Sequence, residues 1–162
     1  MILKARAKKP LAPMQYAVAQ LARREHSRAE LRNKLRRKLK DETDCADVAT
    51  QVEKVLDELQ SKGLLSDARF AAVLTRTRAD RFGAARIRYE MREHELPDEI
   101  VRPAIEQLKA TEEERARDLW KRRFGHPPAD AAERGRQMRF LAQRGFSTAV
   151  VLRVVRSAVA ED

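Results

Sequence analysis

The chain has 162 residues, of which 37% are charged and 5% aromatic, a ratio with too many water-facing groups and too few bulky anchors for one large spherical core. Its 35 Lys and Arg against 25 Asp and Glu give a formal charge of +10, which points to an anionic partner. No stretch is apolar enough for a spanning helix or a signal peptide, and the single Cys45 excludes an internal disulfide and a multi-cysteine zinc site.

Residues 1–13 carry Lys4, Arg6, Lys8 and Lys9 with no acid and read as a flexible basic tail. Nine helices are then expected, over 14–25, 27–40, 44–62, 66–82, 84–95, 97–109, 112–124, 131–144 and 147–159. The first junction ends at Ser27-Arg28-Ala29-Glu30, a hydroxyl with a carboxylate three residues on, suited to cap the second helix. Leu31, Leu35 and Leu39 give that helix an apolar stripe, and Val48, Val52, Val55, Leu56 and Leu59 do the same for the third. Gly63 stands where a helix needs a left-handed residue to stop, and Gly145 repeats the signal. Thr111-Glu112-Glu113-Glu114 reads as a second capping box, and Trp120 and Phe124 as core side chains. Val150, Val151, Val154 and Val155 form the last stripe.

Gly63-Leu64-Leu65-Ser66, Glu95-Leu96-Pro97-Asp98 and Gly145-Phe146-Ser147 all run terminator, apolar residue, helix starter. The expected fold is therefore all-α, an elongated array of three tandem three-helix repeats over 14–63, 64–110 and 111–162 after the tail.

The net charge is spread thinly: +4 in the tail, then +2, +1 and +3 in the three repeats. Within the first repeat it is segregated, with nine basic residues from Arg23 to Lys40 against Glu25 and Glu30, followed by Asp44, Asp47, Glu53, Asp57 and Glu58 against Lys54. Arg28, Arg32 and Arg36 form a row beside the leucine stripe, with Lys34, Arg37 and Lys38 toward other faces and Arg24 at the end of the preceding helix. Shorter versions are Arg86, Arg88 and Arg92 on the fifth helix and Arg134, Arg136 and Arg139 on the eighth. Lys38 aside, these twelve are the candidate contacts to nucleic acid or an acidic protein surface, because arginine offers forked contacts to phosphate and carboxylate. The alternative for each is a solvated helix face paired with the acidic helix of its own repeat.

His26, His94 and His126 are far apart, which argues against a metal site and suggests surface or helix-end positions. No Walker A, GxGxxG, GxSxG or HExxH pattern occurs. A binding protein without a cofactor is expected, not an enzyme.

Four separated words carry a family resemblance. They are Ala19-Gln20-Leu21-Ala22-Arg23-Arg24-Glu25-His26-Ser27-Arg28-Ala29-Glu30-Leu31; Gly63-Leu64-Leu65-Ser66-Asp67-Ala68-Arg69-Phe70-Ala71, continued by Arg78 to Gly83, Ile87 and Glu90-Met91; Lys121-Arg122-Arg123-Phe124; and Arg139-Phe140-Leu141-Ala142-Gln143-Arg144-Gly145-Phe146-Ser147. Over residues 14–157 the chain resembles the RecX family of recombinase regulators. One departure is Glu95, where the family usually has glycine. The resemblance implies a modulator that binds RecA filaments on single- or double-stranded DNA and restrains filament growth, ATP turnover and strand exchange; the lone Cys45 fits a reducing cytoplasm, and a monomer is expected. A helical protein that binds nucleic acid by itself and a passive protein scaffold are the other readings of the charge pattern.

Overall fold

A computed structural model of the chain describes residues 12–40 and 47–160. The expected basic tail, apart from its last two residues, and the expected start of the third helix near Asp44 lie outside the described residues. Among the described residues there are nine helices and no strand, arranged as tandem three-helix repeats. They fall into two compact units, Met1–Ser66 and Asp67–Asp162.

The first unit holds α1 (Pro13–Arg23), α2 (Arg28–Lys40) and α3 (Val48–Ser61). Pro13 opens α1, where its missing N–H costs no helical bond. Leu31, Leu35 and Leu39 on α2 bury against Val52, Leu56 and Leu59 on α3 and Ala17 on α1. Removing such side chains from water stabilises by about 1.5–3 kcal/mol each. The Ser27 hydroxyl accepts from the Glu30 amide at 3.0 Å, the hydroxyl half of the expected capping box, while the Glu30 carboxylate pairs with Arg24.

The second unit holds α4 (Asp67–Arg78), α5 (Ala84–Glu93), α6 (Asp98–Ala110), α7 (Glu112–Arg123), α8 (Ala131–Gln143) and α9 (Thr148–Ala160). One apolar cluster joins α4, α5 and α6 through Phe70, Leu74, Ile87, Met91, Val101 and Ile105. A second joins α7, α8 and α9 through Leu119, Trp120, Leu141 and the valine stripe of α9. Trp120 is buried, as its apolar surroundings required, and its indole N–H donates to Gln137 Oε1 at 2.8 Å. Gln137 is itself fully buried and donates on to the His126 carbonyl at 3.3 Å.

Three helix ends share one backbone solution. At α3 the Gly63 amide donates to Gln60 O and the Leu64 amide to Leu59 O. At α5 Glu95 donates to Arg92 O and Leu96 to Met91 O, and at α8 Gly145 donates to Ala142 O and Phe146 to Leu141 O. Each is a Schellman stop, which needs a left-handed residue after the helix. Gly63 has φ 69° and Gly145 φ 87°, and Glu95 takes φ 52° without being glycine. The departure from the family pattern at Glu95 has therefore kept the turn and added a side chain to a conformation that disfavours one.

Gly83 and Gly145 meet backbone to backbone. The Gly83 amide donates to Arg144 O at 2.8 Å, a Cβ at Gly83 would collide with the Gly145 carbonyl, and a Cβ at Gly145 would collide with Arg86. Beside this contact α7 reaches across to α4 and α5. Arg115 donates to the carbonyls of Ala79 (2.6 Å), Phe82 (2.7 Å) and Leu108 (2.8 Å), and buried Glu112 accepts from the Ala84 amide at 2.8 Å.

These contacts explain two departures from the sequence reading. The fourth helix, expected to run to residue 82, stops at Arg78 because the next carbonyls are taken by Arg115 and the Gly83 amide by Arg144. Thr111 does not cap α7 with its hydroxyl; that hydroxyl bonds back to Leu108 O at 3.4 Å and accepts from Arg115 at 3.2 Å, while Glu112 leaves to cap α5.

Two substitutions test the turns by urea unfolding. Glu95→Gly is expected to stabilise the second unit by about 0.5–1 kcal/mol through relief of the left-handed strain. Gly83→Ala is expected to destabilise it by roughly 1–3 kcal/mol, because the collision is with backbone rather than a movable side chain.

Candidate functional site

The twelve arginines and lysines singled out by sequence fall into three groups. In the first unit α2 lies against the acidic face of α3, and the ion pairs follow. Arg28 binds Glu53 at 2.7 Å and Asp57 at 2.8 Å and also donates to Gln60, and Arg32 binds Glu53 at 2.9 Å. Burial opposes the charge of Arg28, yet its bonds to Glu53 and Asp57 outweigh that and raise its pKa. The same bond holds the Glu53 carboxyl below the ordinary carboxylate range. Two members of the expected phosphate row are thus committed inside their own repeat.

A second group surrounds His26. Arg24 pairs with Glu30, and Lys34 donates to Gln20 Oε1 and His26 Nε2, each at 3.1 Å. His26 Nδ1 lies 3.0 Å from the Arg24 carbonyl and the ring is 1% exposed, so this histidine is a core group and not a surface one. The lysine fixes the ring as neutral: Nε2 accepts from the ammonium and Nδ1–H donates to the carbonyl. Of the other two histidines, His94 ends α5 with its ring 4.6 Å from Phe70, and His126 is exposed. No cluster of His, Cys, Asp or Glu among the described residues is arranged to hold a metal.

The third group has its charge available. Among the described residues Arg36, Arg88, Arg92, Arg134, Arg136 and Arg139 make no ion pair, and all but the half-buried Arg88 are exposed. Arg37 is exposed and, among the described residues, donates only to its own helix, at Asn33 O. Arg86 lies 3.5 Å from Glu90, with half its side chain in water.

Arg86 belongs to a larger feature of the second unit. The Phe82 ring has Arg81, Arg86 and Arg144 within 5.9, 5.8 and 5.4 Å of its centroid. Arg144 also covers Phe140 at 5.1 Å, Arg123 lies 5.8 Å from Phe140 and 5.4 Å from Phe124, and the Phe124 and Phe140 rings meet edge to face. Four arginines and three phenyl rings thus form one continuous patch drawing on both three-helix repeats of this unit. A guanidinium held by the quadrupole of a ring face keeps its full charge and its N–H donors for an anion. Only Arg86 of the four was found from sequence. For Arg81 and Arg123 a signal was present in the dipeptides Arg81-Phe82 and Arg123-Phe124; Arg144 reaches its rings through the fold and has no such local mark.

The chain matches the family models for the three RecX three-helix domains in order: the first over residues 14–59, the second over 66–105 and the third over 111–155. It is 50% identical over 142 residues to the "Regulatory protein RecX" of Leptothrix cholodnii, covering 88% of this chain and 86% of that one. It is 46% identical over 151 residues to the protein of the same name from Ralstonia nicotianae, covering 93% and 91%. The crystal structure of RecX from Lactobacillus salivarius shares the fold with a TM-score of 0.71 at 18% identity, over 91% of this chain and 95% of that one.

The His26 cluster sets a pH dependence. Burial lowers the His26 pKa below 6.5, against the pull of the Arg24 carbonyl and Glu30 and with the added push of Arg24 and Lys34. A depressed folded pKa makes neutral His26 stabilising at neutral pH, and that contribution is lost as pH falls from 6.5 through the folded value. In an NMR titration the His26 ring is expected to protonate at lower pH than free histidine. Replacement by Gln should flatten the acid-side decline of the urea midpoint; an unchanged decline would remove His26 as its source.

Proposed function

The chain belongs to the RecX family, and we propose that it acts as a non-enzymatic regulator that binds RecA filaments on DNA. Binding restrains filament growth, ATP hydrolysis and strand exchange, and so adjusts recombination and DNA repair in the bacterial cytoplasm. The observation that carries this reading is the ordered match of all three RecX domains along one chain. The protein needs no cofactor for it, since a regulator of this kind works by occupying a surface.

The contacts to the filament and its DNA are made by the arginines whose charge is not spent internally. On this reading the arginine–phenyl patch of the second unit leads, with Arg88, Arg92, Arg134, Arg136 and Arg139 adding long-range attraction. In the first unit Arg36 and Arg37 contribute more than Arg28 and Arg32. Arg24 and Lys34 serve the His26 cluster before they serve a partner.

Binding to nucleic acid without a recombinase is the second reading, and the patch is what favours it, because stacked arginines beside aromatic rings suit phosphates and bases together. Substoichiometric chain is expected to slow RecA-catalysed ATP hydrolysis and strand exchange and to co-sediment with RecA filaments. Absence of inhibition at every ratio would end the regulatory proposal. Replacing Arg86, Arg123 and Arg144 together by Ala is expected to lower the slope of log affinity for DNA against log salt by roughly 2 to 3. The Arg28→Ala, Arg32→Ala pair should change that slope far less.

A further inference from the structure

We propose that the groove between α8 and α9 is a docking site for a short acidic peptide that carries one aliphatic anchor. It lies apart from the arginine–phenyl patch and goes beyond the filament reading. The cavity holds about 400 Å³ and is lined by Arg134 and Met138 of α8 and by Leu152, Val155, Arg156 and Val159 of α9. That volume falls within the ordinary range of ligand sites, roughly 300–1,000 Å³.

The lining follows from helix geometry. Arg134 and Met138 stand one turn apart on α8, as do Leu152 and Arg156, and Val155 and Val159, on α9, so two helical faces converge on one trough. Val155 forms the floor, 2% exposed and part of the core, whereas Val159 is 47% exposed at the mouth. An apolar side chain entering this trough would cover aliphatic surface that now faces water.

Charge selects the rest of the occupant. Arg134 and Arg156 are exposed and make no ion pair among the described residues. Two acids of this repeat are already engaged, Glu133 with His126 and the Ala129 amide, and Glu113 with Arg117 and Arg153. Two forked guanidinium groups flanking an aliphatic trough match carboxylates on either side of an aliphatic residue. Nucleic acid fits poorly, because the lining offers no aromatic ring on which a base can stack. A small polar ligand fits poorly as well, since no hydroxyl or side-chain amide is present to orient it.

The test uses the full chain and a fluorescein-labelled peptide of Asp and Glu around a single central Leu, followed by anisotropy without RecA or DNA. Failure here therefore leaves the filament proposal standing, and failure of filament inhibition leaves this one standing. Wild type is expected to bind, with affinity falling at least about tenfold when the peptide Leu becomes Gly. A similar fall is expected for Arg134→Glu with Arg156→Glu, and for Val159→Asp, all three at exposed positions, with circular dichroism confirming the fold. Four results would overturn the proposal. They are no binding to wild type, equal binding of the peptide without Leu, displacement by an oligonucleotide whose own binding the same variants abolish, and a self-association that Val159→Asp removes.

Discussion

Two backbones touch at Gly83 and Gly145, and most of what distinguishes the second unit depends on that approach. It requires glycine on both sides, at one position for lack of space and at the other for space and a left-handed φ of 87° together. Once the chains are this close, Arg115 and Glu112 of α7 can reach the open carbonyls and amide of the α4–α5 turn and satisfy groups that water would otherwise have to serve. The same approach places Arg144, next to Gly145, over Phe82, next to Gly83. The arginine patch is thus a consequence of how two repeats are joined rather than of any single basic helix.

Short helices make this economy necessary. Each α-helix leaves four amides and four carbonyls without internal partners, so a chain built from helices of 10 to 14 residues has a large share of its backbone at helix ends. Arginine serves many of these ends. Arg115 takes three carbonyls and Arg122 takes Asp80 O at 2.6 Å, while Arg28 and Arg32 balance the acids of α3. Burial presses the Arg115 pKa down, which marks how far a structural arginine can be withdrawn from solvent; its guanidinium stays charged. Net charge is accordingly a poor guide to where a partner meets this protein. What counts is the arginine left over after the helix ends and internal acids have been satisfied.

Fold and helix order were legible because they rest on local signals. The leucine stripe of α2 needs only a spacing of four, Ser27 caps within three residues, and Gly63 and Gly145 announce their turns. Glu95 shows that the apolar residue and helix starter that follow it fix the turn even without glycine. What the sequence withheld is long-range. Glu112 lies 28 residues from the amide it caps and Arg115 33 residues from Phe82, and neither distance leaves a periodic trace. His26 was misplaced for a different reason: its ring is held by polar groups, the Lys34 ammonium at Nε2 and the Arg24 carbonyl at Nδ1, which no hydrophobic pattern registers. For the Arg28 row the sequence left two readings open, a free row or pairing with the acidic third helix, because a helix taken alone does not say which of its basic residues the partner helix reaches; Arg28 and Arg32 are paired.

The arginines that remain available are not equivalent, and the difference is entropic. Immobilising a long side chain at an interface costs about 0.5–1.5 kcal/mol, and an exposed cation–π contact returns roughly 0.5–1 kcal/mol. Arg86, Arg123 and Arg144 already rest on rings, so much of their ordering is complete before any anion arrives. Arg36, Arg134 and Arg136 have no ring or carboxylate to order them among the described residues and must lose their freedom on binding. In the proposed binding role the first kind of arginine favours lifetime of the bound state, and the second acts mainly on approach, where only the field matters. A basic helical protein with both kinds can be drawn to many anionic surfaces and yet be retained on those whose phosphates or carboxylates match the fixed forks.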